Sequence, residues 1–118
     1  MANLLIVDDE LGMRQFMTHL FQREGHTVRV AENGEKALAL IREAPPDLII
    51  SDIRMPDMGG VELLRAAREL LPEVEIIMMT AFANVDTARE AFLLGAYDFV
   101  QKPFDNDLLK ETVARALQ

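Results

Sequence analysis

The chain has 118 residues, 50% of them hydrophobic, a formal net charge of −8 and no cysteine. That length suits one domain around one core. The missing cysteines exclude disulfides and thiolate metal sites, and the acidic balance argues against direct binding of nucleic acid, whose phosphates need a basic footprint. There is no apolar run long enough to span a bilayer and no basic segment leading into an apolar signal stretch, so a cytoplasmic location is expected.

Leu4-Leu5-Ile6-Val7 reads as a buried strand ending on Asp8-Asp9. Met13, Phe16, Met17, Leu20 and Phe21 repeat at helical spacing, and Gly25 closes that helix. Thr27 to Ala31 alternates and reads as an edge strand. Asn33-Gly34 turns the chain into a second helix carrying Ala37, Leu38 and Ile41, which Pro45-Pro46 ends. Asp47 to Asp52 is a second continuous apolar strand that ends on a carboxylate, and Pro56 and Gly59-Gly60 break it into a loop. Leu63, Leu64, Ala67 and Leu71 mark a third helix stopped by Pro72, and Val74 to Met79 is a strand ending on Thr80. Asn84 is placed to cap a fourth helix running to Leu94 and Gly95. Tyr97 to Val100 is a short strand before Lys102-Pro103, and Asp105 caps a last helix carrying Leu109, Val113, Ala116 and Leu117. Five alternations of strand and helix, with connections too long for hairpins, predict an α/β parallel sheet covered on both faces.

Ligands of such sheets bind beyond the carboxyl ends of the strands. There the sequence puts Asp8, Asp9, Asp52, Thr80 and Lys102. Clustered carboxylates resist joint ionisation unless a counter-charge is present, and a hard divalent cation supplies it. Magnesium suits one or two carboxylates plus phosphate oxygens. An ionised Asp52 is then a carboxylate nucleophile able to form an acyl phosphate, with the metal, Lys102 and Thr80 each taking one phosphoryl oxygen. Each residue alone has a plainer explanation: a turn aspartate, a helix cap, a surface lysine, a strand-end threonine. Those explanations do not account for all of them falling at strand ends as one metal-plus-phosphate set. The two histidines, His19 on the first helix and His26 in a turn, lie away from those ends.

Val7-Asp8-Asp9-Glu10, Asp52 within Ser-Asp-Ile-Arg-Met-Pro-Asp-Met-Gly-Gly, Thr80-Ala81, and Gly95-Ala96-Tyr97-Asp98-Phe99 running into Lys102-Pro103-Phe104 closely resemble the receiver domains of bacterial two-component response regulators. The match covers the whole chain, residues 1–118. The resemblance implies a flavodoxin-like, doubly wound five-stranded parallel sheet, order 2-1-3-4-5, with five helices. It implies that Asp52 accepts a phosphoryl group from the histidine of a sensor kinase. It also implies that Asp9, Asp52 and the Arg54 backbone carbonyl ligate Mg2+, with Asp8 acting through water, and that Thr80 and Lys102 bind the phosphoryl oxygens. Such a protein is a signalling phosphoacceptor, assisting its own phosphorylation and dephosphorylation, rather than an enzyme acting on a separate substrate.

In this family the threonine moves toward the phosphoryl group and an aromatic on the fifth strand rotates inward; the matching residues are Thr80 and Phe99. Phenylalanine has no hydroxyl, so a switch there runs on packing alone. The fourth helix, fifth strand and fifth helix are the expected switching surface, because Thr80 leads directly into the fourth helix while Phe99 and Lys102 belong to the fifth strand; Val85, Ala88, Phe92, Leu93 and Leu94 of the fourth helix also cannot all face the sheet. The stretches from Ala81 to Ala88 and from Leu94 to Phe99 resemble receivers of the nitrogen-regulator type. Those often precede an ATPase and a DNA-binding domain that control transcription, and the family resemblance also implies a phosphorylation-dependent homodimer. An aspartate-nucleophile phosphatase would want a second aspartate two residues after the nucleophile, where this chain has Arg54. A flavin- or nucleotide-binding module would want a Gly- or Ser/Thr-rich loop after the first strand, where this chain has Asp8-Asp9-Glu10. A receiver that binds partners without being phosphorylated would not need the full polar set.

Overall fold

The computed structural model describes residues 2–53, 58–80, 89–90, 92–102 and 104–118. Five strands, β1 (Asn3–Val7), β2 (Thr27–Ala31), β3 (Leu48–Asp52), β4 (Glu75–Thr80) and β5 (Asp98–Gln101), pair in parallel in the order β2-β1-β3-β4-β5. The helices with complete bounds among the described residues are α1 (Leu11–Arg23), α2 (Gly34–Glu43), α3 (Gly60–Leu70) and α4 (Asn106–Ala116). Five helices were expected. The one predicted from Asn84 to Leu94 falls largely outside the described residues, and of it Arg89, Glu90, Phe92 and Leu93 are helical.

Strand alternation sorts the core onto two faces, because successive side chains point opposite ways. Leu5, Val7, Ile49, Ile76 and Met78 pack with Ala37, Leu38 and Ile41 of α2 and Leu63, Leu64 and Ala67 of α3. Leu4, Ile6, Leu48, Ile50, Ile77 and Met79 pack with Met17 and Phe21 of α1 and Leu109, Val113 and Ala116 of α4. The central strands therefore bury apolar side chains on both faces, as a sheet covered on both sides requires. β2 lies at the edge and carries exposed Val30.

Helix ends follow local chemistry. The Asn33 side chain accepts from the Lys36 N–H at 2.8 Å, so Asn33 caps α2 and Gly34 is its first residue rather than a turn residue. Asp105 caps α4 by accepting from the N–H groups of Asp107 and Leu108. Gly25 follows α1 with φ 90°, and Gly95 has φ 97°, a conformation that disfavours a side chain. Phe16, placed by its spacing on the apolar stripe of α1, is 41% exposed. Met17 and Phe21 are the fully buried residues of that helix's contact with the sheet, and Met13 and Leu20 pack beside them. No helix among the described residues is long and apolar enough to cross a membrane.

Candidate functional site

The sheet register builds the site. Val7 pairs with Ser51, and Asp52 pairs with Met79, so Asp8 emerges from β1 beside Asp52 at the end of β3. The Asp8 N–H donates to the Ala31 carbonyl at 3.1 Å and the Ile53 N–H to the Met79 carbonyl at 2.8 Å, carrying the ladder one step past the last core residues. Thr80 pairs with Gln101, and the Lys102 N–H donates to the Thr80 carbonyl at 2.7 Å.

Asp8, Asp52 and Thr80 are buried, Asp8 completely and Asp52 to 6% exposure. Such burial is costly for a carboxylate unless it is paired. Lys102 supplies that pairing. Its Nζ donates to Asp8 Oδ2 and to Asp52 Oδ2, both at 2.9 Å. Val100, two residues before Lys102, lies in the row after Phe99 and beside Met79, the partner of Asp52. Lys102 is thus about 7 Å of strand rise beyond the Asp52 row, and its long flexible stem spans that distance back. Burial opposes the Lys102 charge, but the hydrogen bonds and negative charges of Asp8 and Asp52 together outweigh it and raise its pKa above the ordinary lysine value.

The carboxylates of Asp8, Asp9 and Asp52 each bring an oxygen to within 4.8 Å of the others. One ammonium cannot balance three ionised carboxylates, and an all-oxygen set suits a hard divalent ion. Oxygens around octahedral magnesium lie about 3–4 Å apart. Asp9 is the exposed member and has room to adjust. The residues present therefore fit magnesium. The loop bearing Asp8 and Asp9 is braced by two bonds: the Glu10 N–H donates to Asp8 Oδ1 at 2.9 Å, and Arg14 Nη1 donates to the Asp8 carbonyl at 2.7 Å.

Of the residues anticipated from sequence, the structure thus brings Asp8, Asp9, Asp52 and Lys102 together and puts buried Thr80 at the neighbouring strand end. Arg54, with its backbone carbonyl, lies outside the described residues. Phe99 is half-buried and packs against the α2/α3 face, while Val100 faces the α1/α4 side. Phe92 and Leu93 are exposed, at 49% and 77%, as expected of the predicted fourth helix; Val85 and Ala88 lie outside the described residues. His19 is exposed on α1, and His26 accepts at Nδ1 from the Ala2 N–H at 3.2 Å, both away from the acidic cluster. Arg14 was not singled out from sequence, since nothing in a lone arginine on a helix signals a bond to a carbonyl six residues earlier.

Comparison with known proteins agrees with this geometry. Residues 4–114 match the family described as the response regulator receiver domain. The chain is 44% identical over 115 residues to the regulatory protein AtoC of Escherichia coli (strain K12), covering 98% of the chain and 25% of the relative. It is 37% identical over 116 residues to the DNA-binding transcriptional regulator NtrC of Proteus hauseri, covering 98% of the chain and 24% of the relative. The chain thus spans about a quarter of the length of these relatives. The crystal structure of the chemotaxis protein CheY4 of Vibrio cholerae superimposes with a TM-score of 0.94 at 36% identity, covering 99% of both chains. The sheet order, the acidic cluster with its lysine, and these matches together show that the chain belongs to the response regulator receiver domain family of two-component signalling, with regulators of the nitrogen type among its relatives.

Proposed function

We propose that Asp52 is the phosphoacceptor of this receiver domain, taking a phosphoryl group from the histidine of a sensor kinase in the cytoplasm. The observation that carries this reading is the setting of Asp52. Its carboxylate is buried at a strand end, 2.9 Å from the Lys102 ammonium and within 4.8 Å of the oxygens of Asp8 and Asp9. In the step, a carboxylate oxygen of Asp52 forms a bond to phosphorus as the bond from phosphorus to the kinase imidazole breaks, and the electron pair stays on the imidazole nitrogen.

Asp9, Asp52 and the Arg54 backbone carbonyl would hold Mg2+, with Asp8 acting through water. When bound, magnesium supplies positive charge that one lysine alone cannot provide to three carboxylates and an incoming phosphoryl group. Lys102 already stands within reach of any oxygen joined to Asp52, so its ammonium is placed to receive charge as it develops. The Thr80 hydroxyl is assigned the remaining contact, and its movement with Phe99 is the switch. Output then passes through the surface formed by the predicted fourth helix, β5 and α4, to control transcription through ATPase and DNA-binding domains or through a phosphorylation-dependent homodimer. Similarity to AtoC and NtrC supports the transcriptional reading. The protein acts as a signalling phosphoacceptor rather than as an enzyme with a separate substrate.

Incubation with acetyl phosphate and magnesium, followed by intact-mass measurement, tests the proposal. A phosphoryl mass gain that disappears in Asp52→Asn and without magnesium is expected. An equal gain in Asp52→Asn would overturn the assignment.

A further inference from the structure

Gly34 opens α2 and is buried. Its backbone gives no reason for a glycine, since the glycines with positive φ among the described residues are Gly25 and Gly95. Helix propensity there favours alanine. What the position cannot hold is a side chain. A Cβ on Gly34 would lie 2.9 Å from the Cβ of Met58, 2.8 Å from its Cγ and 2.7 Å from its Sδ. Rotation about χ1 would move Cγ and Sδ aside but leaves Cβ fixed to the backbone, so the main chain at Met58 would have to shift.

Met58 belongs to the connection that begins directly after Asp52. The near end of that connection is held by the hydrogen bond from the Ile53 N–H to the Met79 carbonyl. The Ile53 carbonyl oxygen lies 3.6 Å from the point a Gly59 Cβ would occupy, so the two ends of the connection approach each other. The far end rests on Met58, which packs into the core between the sheet, α2 and α3.

We propose that Gly34 is a positioning residue for the Asp52 site: the bare start of α2 seats Met58, and that seat fixes the far end of the connection next to the phosphoacceptor. The inference rests on the phosphoacceptor reading above and adds to it a residue distant in sequence from every strand-end ligand. A side chain at position 34 displaces Met58 and, with it, the far end of the connection that leaves Asp52.

The test compares wild type, Gly34→Ala, Met58→Gly and the double variant. It measures the phosphorylation rate by intact mass with acetyl phosphate, magnesium affinity by calorimetry, and thermal unfolding. Gly34→Ala should unfold cooperatively, bind magnesium more weakly and react about tenfold to a hundredfold more slowly, the scale set by misplacing a reacting group by about 1 Å. Met58→Gly, which adds no clash, should lose less. The double variant should recover to the level of Met58→Gly, because the Cβ that a side chain at position 34 would meet is gone. Wild-type rates and affinities in Gly34→Ala, or a double variant no better than Gly34→Ala, would overturn the proposal. Should Gly34→Ala fail to fold, wild-type rate and affinity in Met58→Gly overturn it equally. If wild type itself gains no phosphoryl mass, the phosphoacceptor reading fails instead. The seat is then judged by magnesium affinity alone: loss in Gly34→Ala with recovery in the double variant supports it, and equal affinities overturn it.

Discussion

The ammonium of Lys102 donates to the carboxylate of Asp8, a residue 94 positions earlier in the chain, at 2.9 Å. The same nitrogen reaches Asp52, so one cation from the last strand end closes a site whose carboxylates come from two others. Lys102→Met should remove charge-assisted hydrogen bonds from both buried carboxylates and destabilise the metal-free protein by about 2 kcal/mol. Magnesium should restore part of the loss, because a ligand that binds only the folded state stabilises it. Urea unfolding with and without magnesium measures both effects. A variant as stable as wild type without metal would contradict the pairing.

Asp9 is the exposed carboxylate of the cluster, and among the described residues the ion pairs of Lys102 are with Asp8 and Asp52. Asp9→Asn relieves like-charge repulsion without removing a bond to the lysine. It should raise metal-free stability by about 1 kcal/mol, the size of a like-charge interaction at this separation near water. The stabilisation that magnesium gives wild type should largely disappear. Thermal unfolding across a magnesium titration reads both changes, and an unaltered magnesium response would remove Asp9 from the ligand set.

Arg68 joins three segments. Its Nη1 donates to the carbonyls of Pro72 and Val74 at 2.9 and 2.6 Å, and its Nη2 to the Gly95 carbonyl at 2.8 Å. It thereby ties the end of α3 and the start of β4 to the turn that precedes β5. Arg68→Met keeps much of the aliphatic stem and loses the bonds, and should cost about 2 kcal/mol. Amide exchange should rise around Val74 and Gly95 first. Unchanged exchange at both positions would show that the clamp carries little.

The His26 pKa is lowered by burial, then by the nearby amino terminus, against a smaller opposing effect of Glu24. Its Nδ1 accepts from the Ala2 N–H, which only the neutral ring can do. A folded-state pKa below the ordinary 6.5 gives a contribution that is complete above that value and is lost as the pH falls toward the folded-state pKa. The stability difference between wild type and His26→Gln should stay constant above neutrality and shrink below pH 6.5. Denaturant midpoints across that range measure it, and a difference that widens on acidification would reverse the sign.

The sheet was legible because its central strands are short continuous apolar runs, and each run's last polar residue falls where the parallel fold exposes it. Asp8, Asp52, Thr80 and Lys102 could be grouped on that ground alone. The connections between them could not. The contact of Lys102 with Asp8 depends on the register of β4 with β5, and the Arg14 bond to the Asp8 carbonyl on how α1 lies against β1. Phe16 shows the limit of periodicity, since helical spacing marks a stripe without fixing how wide a strip the sheet covers. Gly34 was read as a turn residue because Asn-Gly is a common turn pair. Its reason for being glycine lies in Met58, a contact that no local pattern announces.

The proposed chemistry places a phosphoryl group covalently on one side chain of this acidic pocket. Borohydride trapping after treatment with acetyl phosphate and magnesium, followed by peptide mass mapping, tests it most directly, because reduction of an aspartyl phosphate leaves homoserine at the modified position. Conversion of Asp52 with Asp8 and Asp9 intact is the predicted result. Conversion of Asp8 or Asp9 in its place, or of no aspartate, would contradict the account.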